Sequence, residues 1–553
     1  MSNVSKFYLT KFFMIKRNLL IWLCSFWLLF PMLTNAEWLD WKVVNNCLEM
    51  GNNLNNLLKN SSVIENQALP FDIEPIIDEW TSTDSSSSYV ADYNEEEKTI
   101  TLIMWPKEPK WTTVDFKYSK KIGIIKIPAT FKNVKTRIYD NRYLIIFADH
   151  NDVNKKTETI VIFYNISDWK LTPEFYFTHT WKLIKVHDQD WKMYVVTNTP
   201  LVKSEVQSFI KKDWNLPSMF PVYTEWQKYG LNPEETVSVC RNFRYLLMPS
   251  NQMPSFWSIV VLNLNNLKNS KELVYMLWTI SNIEFSEKFM YMTVPWDWES
   301  TIVQKFWLDP KINPQKSILI DWTVIQWWVL VSDMKVSFLL KKSSWKINQY
   351  SLVPFGDSFV QQGETAFLTN EDNFSEAETH WTTLFLRNKD KIVAVGDLVW
   401  WALTPHSAMQ LPLKNHDYFQ LSSSPLTLLD VVTEDSKLNF SVLEKDKPQG
   451  TFRKIARARY DWEWKVLWNA SWNSKNRTLL LPVSILWNNS FEGLKVLQLT
   501  AKWAISEVMS RSYWSSSEIV SVGQLQDFAY AITDKLVDIF VSNNSIAKKV
   551  FKR

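Results

Sequence analysis

The chain has 553 residues, of which 46% are hydrophobic and 22% are charged, and its formal net charge is +3. The apolar content excludes an intrinsically disordered chain, and the length excludes a small disulfide-stapled domain. Residues 1–36 carry four basic side chains and no acidic one, so the remaining chain is close to neutral and offers nucleic acid no basic surface.

The amino-terminal residues 1–36 are predicted to be an export signal. A basic start precedes an apolar run from Leu19 to Leu33, and Thr34-Asn35-Ala36 supplies the small residues typical of a signal peptidase site. The apolar run is short for a bilayer span, so we predict cleavage, with a retained membrane anchor as the alternative. The predicted location is the cell envelope or the outside of a bacterial cell.

The cysteines fit this compartment without fixing a disulfide. Cys24 follows Leu23, which is too large for the residue before a lipid-attachment cysteine. After cleavage only Cys47 and Cys240 remain. These two residues could pair in an oxidising compartment, but we predict two unpaired thiols.

Residues 37–94 are predicted to form an amino-terminal segment that ends in a serine-rich linker. The apolar positions between Val43 and Lys59 fit a helix only loosely. The run from Thr81 to Ser88 is polar and has little capacity to bury surface, so the main domain boundary is placed there.

From about residue 95 the sequence changes to short β-branched and aromatic runs separated by polar turns, a pattern typical of successive strands. The runs recur as a unit that opens at Thr or Ser and closes with an aromatic strand. One copy extends from Thr159 to Asn198, and others open at Thr112, Ser258 and Ser300. The openings at 112 and 159 lie 47 residues apart, and those at 258 and 300 lie 42 residues apart.

A period in the forties, made of about four strands, predicts a β-propeller blade. Only neighbouring blades cover the two apolar faces of such a unit, so the array is expected to close into a ring. We predict an all-β fold, a β-propeller of about seven four-stranded blades over residues 95–545, with six or eight blades as alternatives. A helical insertion is expected at Lys203–Lys212 and a basic tail at residues 546–553, and an array of two-sheet sandwiches is the competing fold.

Several of these strands resemble the motifs of a known family. The segments Tyr164–Asp168, Met193–Asn198 and Ser300–Phe306 are similar to strand motifs of secreted bacterial proteins with a carboxy-terminal β-propeller, which are distant relatives of WD-repeat domains. The resemblance spans about residues 110–540. It implies the fold and export, and it implies no particular chemistry.

Glycine is scarce and tryptophan abundant, with 9 and 31 residues, whereas glycine is ordinarily about 7% of a protein. We interpret many printed tryptophans as glycines encoded by UGA, which some bacterial lineages read as glycine. The alternative is a tryptophan-rich carbohydrate binder with Trp327-Trp328 and Trp400-Trp401 as stacking platforms. Seven tryptophans follow an aspartate, where Asp-Gly is the expected turn dipeptide: Trp41, Trp169, Trp191, Trp214, Trp298, Trp322 and Trp462.

Asp297 and Glu299 form the densest acidic pair, just before a predicted blade opens. Two carboxylates at this spacing could bind a cation through oxygen ligands or act as an acid and a base. A tight connection between strands explains the same residues more simply, and the segment Asp461–Trp464 is interpreted in the same way.

A second candidate is the segment in which His187 and Asp188 precede Asp190. It places an imidazole beside two carboxylates, although a hairpin turn closed by Asp190 explains it more simply. We carry all of these residues forward as candidate binding residues and predict no catalytic residue.

No metal or cofactor is predicted. The six histidines lack the i, i+4 spacing of a zinc protease helix, and two cysteines are too few for a zinc cage. The sequence contains neither a nucleophile elbow nor a phosphate-cradling loop. A Ser-His-Asp triad is not excluded, because it is defined by the spatial positions of its three residues and not by their spacing in the sequence.

The sequence therefore favours an exported propeller that acts as a binding or scaffolding module through its loops. The expected partner is a protein or a glycan rather than nucleic acid, with a membrane involved only through an uncleaved signal segment. One alternative is an extracytoplasmic hydrolase that uses carboxylates at the channel mouth. Another is a structural surface protein that assembles with itself.

Overall fold

The structure is a computed structural model. It describes residues 42–43, 49, 51–52, 54–56, 89–104, 121–151, 157–167, 170–179, 182–189, 191–201, 203–211, 222–227, 234–237, 243–245, 255–267, 271–278, 280, 282–295, 300–309, 311–320, 323–331, 336–341, 346–355, 358–369, 376–380, 383–387, 391–399, 402–412, 416–423, 426–434, 437–445, 452–460, 464–466, 470–485, 488–513, 519–525, 528–533, 536–541 and 544–552. These residues divide into two compact units, one within Thr279–Glu371 and the other within Val43–Tyr245, Gln252–Trp278 and Asp372–Arg553.

Within the described residues, nearly all regular structure is β-strand, and the strands form nine sheets. Most of these sheets contain four strands that follow one another in the chain and pair antiparallel. The predicted all-β fold with four-stranded, blade-like sheets is thereby confirmed, whereas the count of about seven blades stays a prediction.

The first of the sheets has three strands, in the order β2-β3-β4. The chain begins with β1 (Lys42–Val43), β2 (Tyr89–Asn94), β3 (Thr99–Met104) and β4 (Lys121–Lys126). β2 is almost entirely buried, whereas β4 lies at the edge and alternates between buried and exposed positions.

Two six-stranded sheets follow, in the orders β12-β11-β8-β7-β6-β5 and β1-β13-β15-β14-β10-β9. Each contains four antiparallel strands, β5 to β8 in the first and β9, β10, β14 and β15 in the second. The first is extended by β11 and β12 from the insertion after β10, and the second by β13 from that insertion and by the amino-terminal β1. Their elements are β5 (Phe131–Tyr139), β6 (Tyr143–Asn151), β7 (Thr157–Ser167), β8 (Lys170–His179), β9 (Lys182–Gln189), β10 (Lys192–Pro200), α1 (Lys203–Lys211), β11 (Val222–Gln227), β12 (Glu234–Val237), β13 (Phe243–Tyr245), β14 (Ser255–Asn263) and β15 (Lys271–Trp278).

The unit within Thr279–Glu371 contains two four-stranded sheets, β16 to β19 and β20 to β23, each in chain order. Their strands are β16 (Asn282–Phe285), β17 (Phe289–Pro295), β18 (Thr301–Trp307), β19 (Asn313–Ile320), β20 (Thr323–Val331), β21 (Val336–Lys341), β22 (Lys346–Phe355) and β23 (Ser358–Thr369).

Four further sheets complete the chain, and each is built from successive strands. The first two comprise β24 (Glu376–His380), β25 (Thr383–Arg387), β26 (Lys391–Val399), β27 (Ala402–Pro412), β28 (His416–Ser423), β29 (Leu426–Glu434), β30 (Lys437–Lys445) and β31 (Arg453–Tyr460). The last two comprise β32 (Trp464–Val466), β33 (Ser471–Asn473), β34 (Thr478–Ile485), β35 (Asn488–Leu499), β36 (Ile505–Tyr513), β37 (Ile519–Leu525), β38 (Phe528–Thr533), β39 (Leu536–Val541) and β40 (Asn544–Lys552).

The hydrophobic core is divided into clusters, and each lies between two successive sheets. One cluster joins Phe147 and Phe177 of the β5–β8 sheet to Val195 and Val260 of the next sheet. The other clusters follow the same rule between β2–β4 and β5–β8, β16–β19 and β20–β23, β28–β31 and β32–β36, and β32–β36 and β37–β40. In these five pairs one sheet covers the apolar face of the next, which is the packing that the sequence repeat predicts.

Polar side chains also join successive sheets. Arg511 Nη1 lies 3.0 Å from Asp538 Oδ2, and both side chains are buried. Trp472 Nε1 donates a hydrogen bond of 3.0 Å to the carbonyl of Leu421, and Tyr460 donates its hydroxyl to the carbonyl of Ile505 at 3.3 Å. The interfaces between these sheets are therefore specified by directional bonds as well as by apolar packing.

The structure locates the predicted strands but divides them differently from the predicted unit. The copy from Thr159 to Asn198 corresponds to β7, β8, β9 and β10, yet β7–β8 and β9–β10 belong to two different sheets. A repeat period gives the spacing of strands, whereas hydrogen bonding decides where one sheet ends. The helical insertion is confirmed as α1, one residue shorter than predicted.

The predicted domain bounds stay predictions, although a sheet spans one of them and a strand crosses another. β2 ends at Asn94, just before the predicted start of the propeller, and pairs with β3 beyond that bound. β40 continues to Lys552 and pairs Phe551 with Val537. The predicted signal segment, the serine-rich linker, both remaining cysteines and the strand opening at Thr112 lie outside the described residues.

Candidate functional site

The predicted residues His187 and Asp188 lie near the end of β9, where they pair with Tyr194 and Met193 of β10. The Asp188 carboxylate forms an ion pair with Arg137, which belongs to β5 in the neighbouring sheet. The Asp188 carboxylate, which the sequence predicts as a binding group, is therefore already paired with a cation of the same chain.

Tyr139 lies beside Asp188. Burial raises the pKa of Tyr139, and the negative charge of Asp188 adds to the effect. The Tyr139 ring packs edge-on against Trp191, with centroids 5.9 Å apart. The cluster thus joins β5 to the turn after β9 and stabilises the packing of two sheets.

The other predicted site residues, Asp190, Asp297 and Glu299, lie outside the described residues, as do Asp461 and Glu463. Their roles stay predictions. No group of three or more His, Cys, Asp or Glu side chains suited to a metal ion occurs in the described part of the chain. No helix among the described residues is long and apolar enough to cross a membrane.

Trp191 occupies the turn between β9 and β10 with φ of 64°, and Trp503 has φ of 63° in the turn before β36. Left-handed backbone is adopted freely by glycine and costs a bulky side chain about 1–2 kcal/mol. Trp257, by contrast, is buried and donates its Nε1 hydrogen to Ser255 Oγ at 2.8 Å. The first two positions suit glycine and the third suits tryptophan, while the codon hypothesis stays a prediction.

A buried hydrogen-bond network, which the sequence did not predict, lies between the two six-stranded sheets. Ser258 Oγ on β14 lies 2.9 Å from His179 Nε2 on β8, and it lies 2.7 Å from Thr197 Oγ1 on β10. All three residues are fully buried. Burial lowers the pKa of His179 to about 3, so the imidazole is neutral at pH 7.

This network pairs a serine with a histidine, as a nucleophilic site does, but it lacks access. A catalytic serine must meet its substrate, and the buried hydroxyl of Ser258 cannot. The three side chains satisfy one another across the sheet interface, where a polar group without a hydrogen bond would be costly. The network therefore positions β8 against β10 and β14.

An accessible groove lies beside β4 in the described part of the chain. A groove of about 480 Å³ runs between residues 122–126 of β4 and the ends of β7 and β8, where Tyr164, Lys170, Leu171 and Thr172 complete the lining. Gly123 brings the β4 backbone close to Leu171, because a Cβ at this position would lie 3.1 Å from Leu171 Cδ1.

The groove combines an apolar surface with positive charge. Ile124 is 54% exposed, the highest value among the large exposed hydrophobic side chains of the described residues. Lys126 and Lys170 line the groove, and no carboxylate is among its lining residues.

The β4 sequence carried a signal for this site. Gly123 interrupts an isoleucine run between Lys121 and Lys126, and glycine and terminal lysines are typical of edge strands. The partners on β7 and β8 are distant in sequence, so the signal could not reveal a groove.

No protein-family model and no curated protein matches the sequence. Among solved structures, the WD40 domain of SCAP from fission yeast is similar at 10% identity and a TM-score of 0.29, covering 84% of this chain and 94% of that chain. Hsv2 of Kluyveromyces lactis is similar at 11% identity and a TM-score of 0.29, covering 54% and 94%. A putative 6-phosphogluconolactonase from Bacteroides uniformis is similar at 9% identity and a TM-score of 0.26, covering 54% and 90%. At these identities the similarity concerns the fold alone.

Proposed function

We propose that the chain is an exported β-propeller protein that acts as a binding or scaffolding module at the cell envelope or outside the cell. The observation that carries the binding role is the groove beside β4, which combines an exposed isoleucine, a strand edge and two lysines. Such a surface provides apolar contact, hydrogen bonds and charge, which together recognise a partner without chemistry.

The described residues that resemble catalytic groups also support a binding role. The buried Ser258 and His179 meet no solvent, and Asp188 is held by Arg137. An enzyme requires titratable groups that converge in an accessible pocket, and the lining of the groove contains two cations, one tyrosine and no acid. Recognition fits these residues better than proton transfer does.

Export rests on the composition of residues 1–36 and is tested separately. We expect this segment, fused to an alkaline phosphatase that lacks its own signal, to give phosphatase activity outside the cytoplasm. The matched control is Leu28→Arg, which places a charge in the apolar run and should abolish the activity. Equal activity of both fusions would contradict export, and the amino-terminal sequence of the released protein locates the cleavage.

The binding role is tested with the purified full-length protein on an array of ten-residue peptides that differ in charge and hydropathy. We expect saturable binding to one class of peptide, with displacement by the same peptide in solution. A protein that binds no class of peptide would contradict a role carried by this groove.

A further inference from the structure

We infer that the free edge of β4 binds an extended, acidic segment of a protein partner, which joins the β2-β3-β4 sheet as its fourth strand. This inference rests on the proposed binding role and names its partner class and its site. It follows from the direction of the backbone groups, the exposed side chains and the charge beside the strand.

One edge of β4 has no backbone partner among the described residues. Within the described residues β4 pairs only with β3, in a register that joins Lys126 to Thr99 and Ile125 to Ile100. The Ile127 N–H donates to the Lys98 carbonyl at 2.7 Å, which continues this register by one hydrogen-bonded pair.

Hydrogen-bonded and non-bonded pairs alternate along an antiparallel ladder. The bond at Ile127 therefore directs the N–H and C=O groups of Ile125 and Gly123 toward β3. It directs those of Ile124 and Lys126 toward the free edge, and both residues also line the groove. An added strand would bond to these outward groups, as peptides do when they extend a sheet.

The side chains beside this edge select the partner. Ile124 offers apolar contact to an added strand, and Lys121, Lys126 and Lys170 place positive charge at both ends of β4 and across the groove. Because opposite charges on neighbouring strands stabilise their pairing, an incoming segment with Glu or Asp is favoured.

The same lysines disfavour a second copy of this chain. Two β4 strands paired antiparallel through their outward groups would place two lysines from each strand, and no carboxylate, on one strand pair, and this unbalanced positive charge disfavours the pairing. The lysines thus disfavour self-association through β4 and favour an acidic partner.

The test uses the full-length protein and two labelled ten-residue peptides, in which valine alternates with glutamate or with lysine. We expect the glutamate peptide to bind at least tenfold more tightly, and we expect added salt to weaken this binding. The double variant Lys126→Glu/Lys170→Glu should reverse the preference. Equal affinity for both peptides, or an unchanged preference in the double variant, would overturn the inference.

Strand addition is tested by removing one outward hydrogen bond. Ile124→Pro lacks the outward N–H, and proline is tolerated where the N–H of an edge strand faces solvent. We expect at least a tenfold loss of affinity for the glutamate peptide at an unchanged unfolding midpoint. Ile124→Val keeps the N–H and should bind like the original protein.

A glutamate peptide methylated at its two central backbone nitrogens gives an independent measurement, because each of its edges then lacks a central N–H donor and carries a methyl group that blocks close pairing with β4. Its binding should be lost. Binding of this peptide, or unchanged binding to the proline variant, would overturn strand addition while leaving the binding role intact. Failure of every peptide class would instead contradict the binding role. A dimer that forms with rising concentration and dissociates in the proline variant would identify a second copy as the occupant and would also overturn the inference.

Discussion

Ser258 Oγ lies 2.9 Å from His179 Nε2, although the two residues belong to different sheets. Thr197 extends the contact, with its hydroxyl 2.7 Å from that of Ser258. Such a network contributes little when complete, but its loss leaves polar groups buried between apolar faces. It therefore makes the alignment of the two six-stranded sheets sensitive to single substitutions.

The network predicts a dependence of stability on pH. The pKa of His179 is about 3 in the folded protein and near its ordinary value of 6.5 when unfolded. Below pH 6.5 the unfolded chain binds a proton that the folded protein excludes, so folding stability falls as the pH falls from 6.5 toward 3. The loss from this residue approaches about 1.4 kcal/mol per pH unit.

Urea unfolding at pH 7, 6, 5 and 4 checks this prediction in His179→Gln. We expect the variant to be less stable at pH 7 and to have a shallower pH slope, because glutamine does not titrate. Thr197→Val is the matched control, since it removes a hydroxyl from the same network and should keep the slope. An identical slope in all three proteins would contradict the prediction.

The left-handed backbone at Trp191 predicts a substitution that costs little. Trp191→Gly should change the free energy of unfolding by about 1 kcal/mol or less, because glycine adopts φ of 64° without steric cost and this gain offsets the lost ring contact with Tyr139. Trp257→Gly should lower it by about 3–5 kcal/mol, because a buried, hydrogen-bonded ring is lost. Denaturant unfolding of both variants provides the measurement, and equal losses would contradict it.

The codon hypothesis makes a related prediction about the protein made by its own cell. Peptide mass spectrometry should find glycine at positions 191 and 503 and tryptophan at position 257. Tryptophan at 191 and 503 would end the hypothesis, because these two turns are the described positions that suit glycine best.

The ion pair between Arg511 and Asp538 predicts a large cost for removing one partner. Both side chains are buried, and the Tyr513 hydroxyl also bonds to Asp538 Oδ2, at 3.2 Å. Arg511→Met should destabilise the protein by about 3 kcal/mol or more, because the Asp538 carboxylate loses its cation.

A second substitution separates charge from packing in this pair. The double variant Arg511→Met/Asp538→Asn should recover part of the loss, since no buried charge then stays uncompensated. Lys495→Met is a milder control, because Glu507 is 24% exposed and water replaces the lysine, so about 1 kcal/mol is expected. A double variant less stable than Arg511→Met would contradict this account.

The hydrolase alternative is tested through Asp297 and Glu299. A binding module should show no turnover of chromogenic glycoside, ester, phosphate or peptide substrates that depends on these carboxylates. The comparison is between the original protein and Asp297→Asn/Glu299→Gln. Turnover that disappears in the double variant would establish chemistry at this loop.

The sequence predicted strands better than it predicted sheets. The repeat copy that opens at Thr159 begins with β-branched and aromatic side chains, and the structure has the strand β7 there. The sheet boundary after His179 could not be predicted. It arises because β8 pairs with β11, which is distant in the sequence, whereas β9 pairs with β10 in another sheet. Local composition contains no information about that choice.

The candidate site shows the same difference between what the local sequence predicts and what tertiary packing decides. Asp188 was identified by its neighbours in the sequence, but its actual partner is Arg137 on another sheet. The groove beside β4 depends on Leu171 and Lys170, which approach β4 only in the folded chain. Residue type therefore predicts what a side chain can do, whereas tertiary packing decides whether it is available.

The order of strands within the sheets bears on how the protein assembles. Within the described residues, the strands of β2–β4 and of every sheet from β16 to β40 come from one continuous stretch of chain. A polypeptide synthesised from its amino end can therefore finish each of these sheets before the next one appears. The two six-stranded sheets differ, because β8 pairs with β11, β10 with β14 and β1 with β13 only after the later strand has been made. We therefore expect this region to be the slowest to fold.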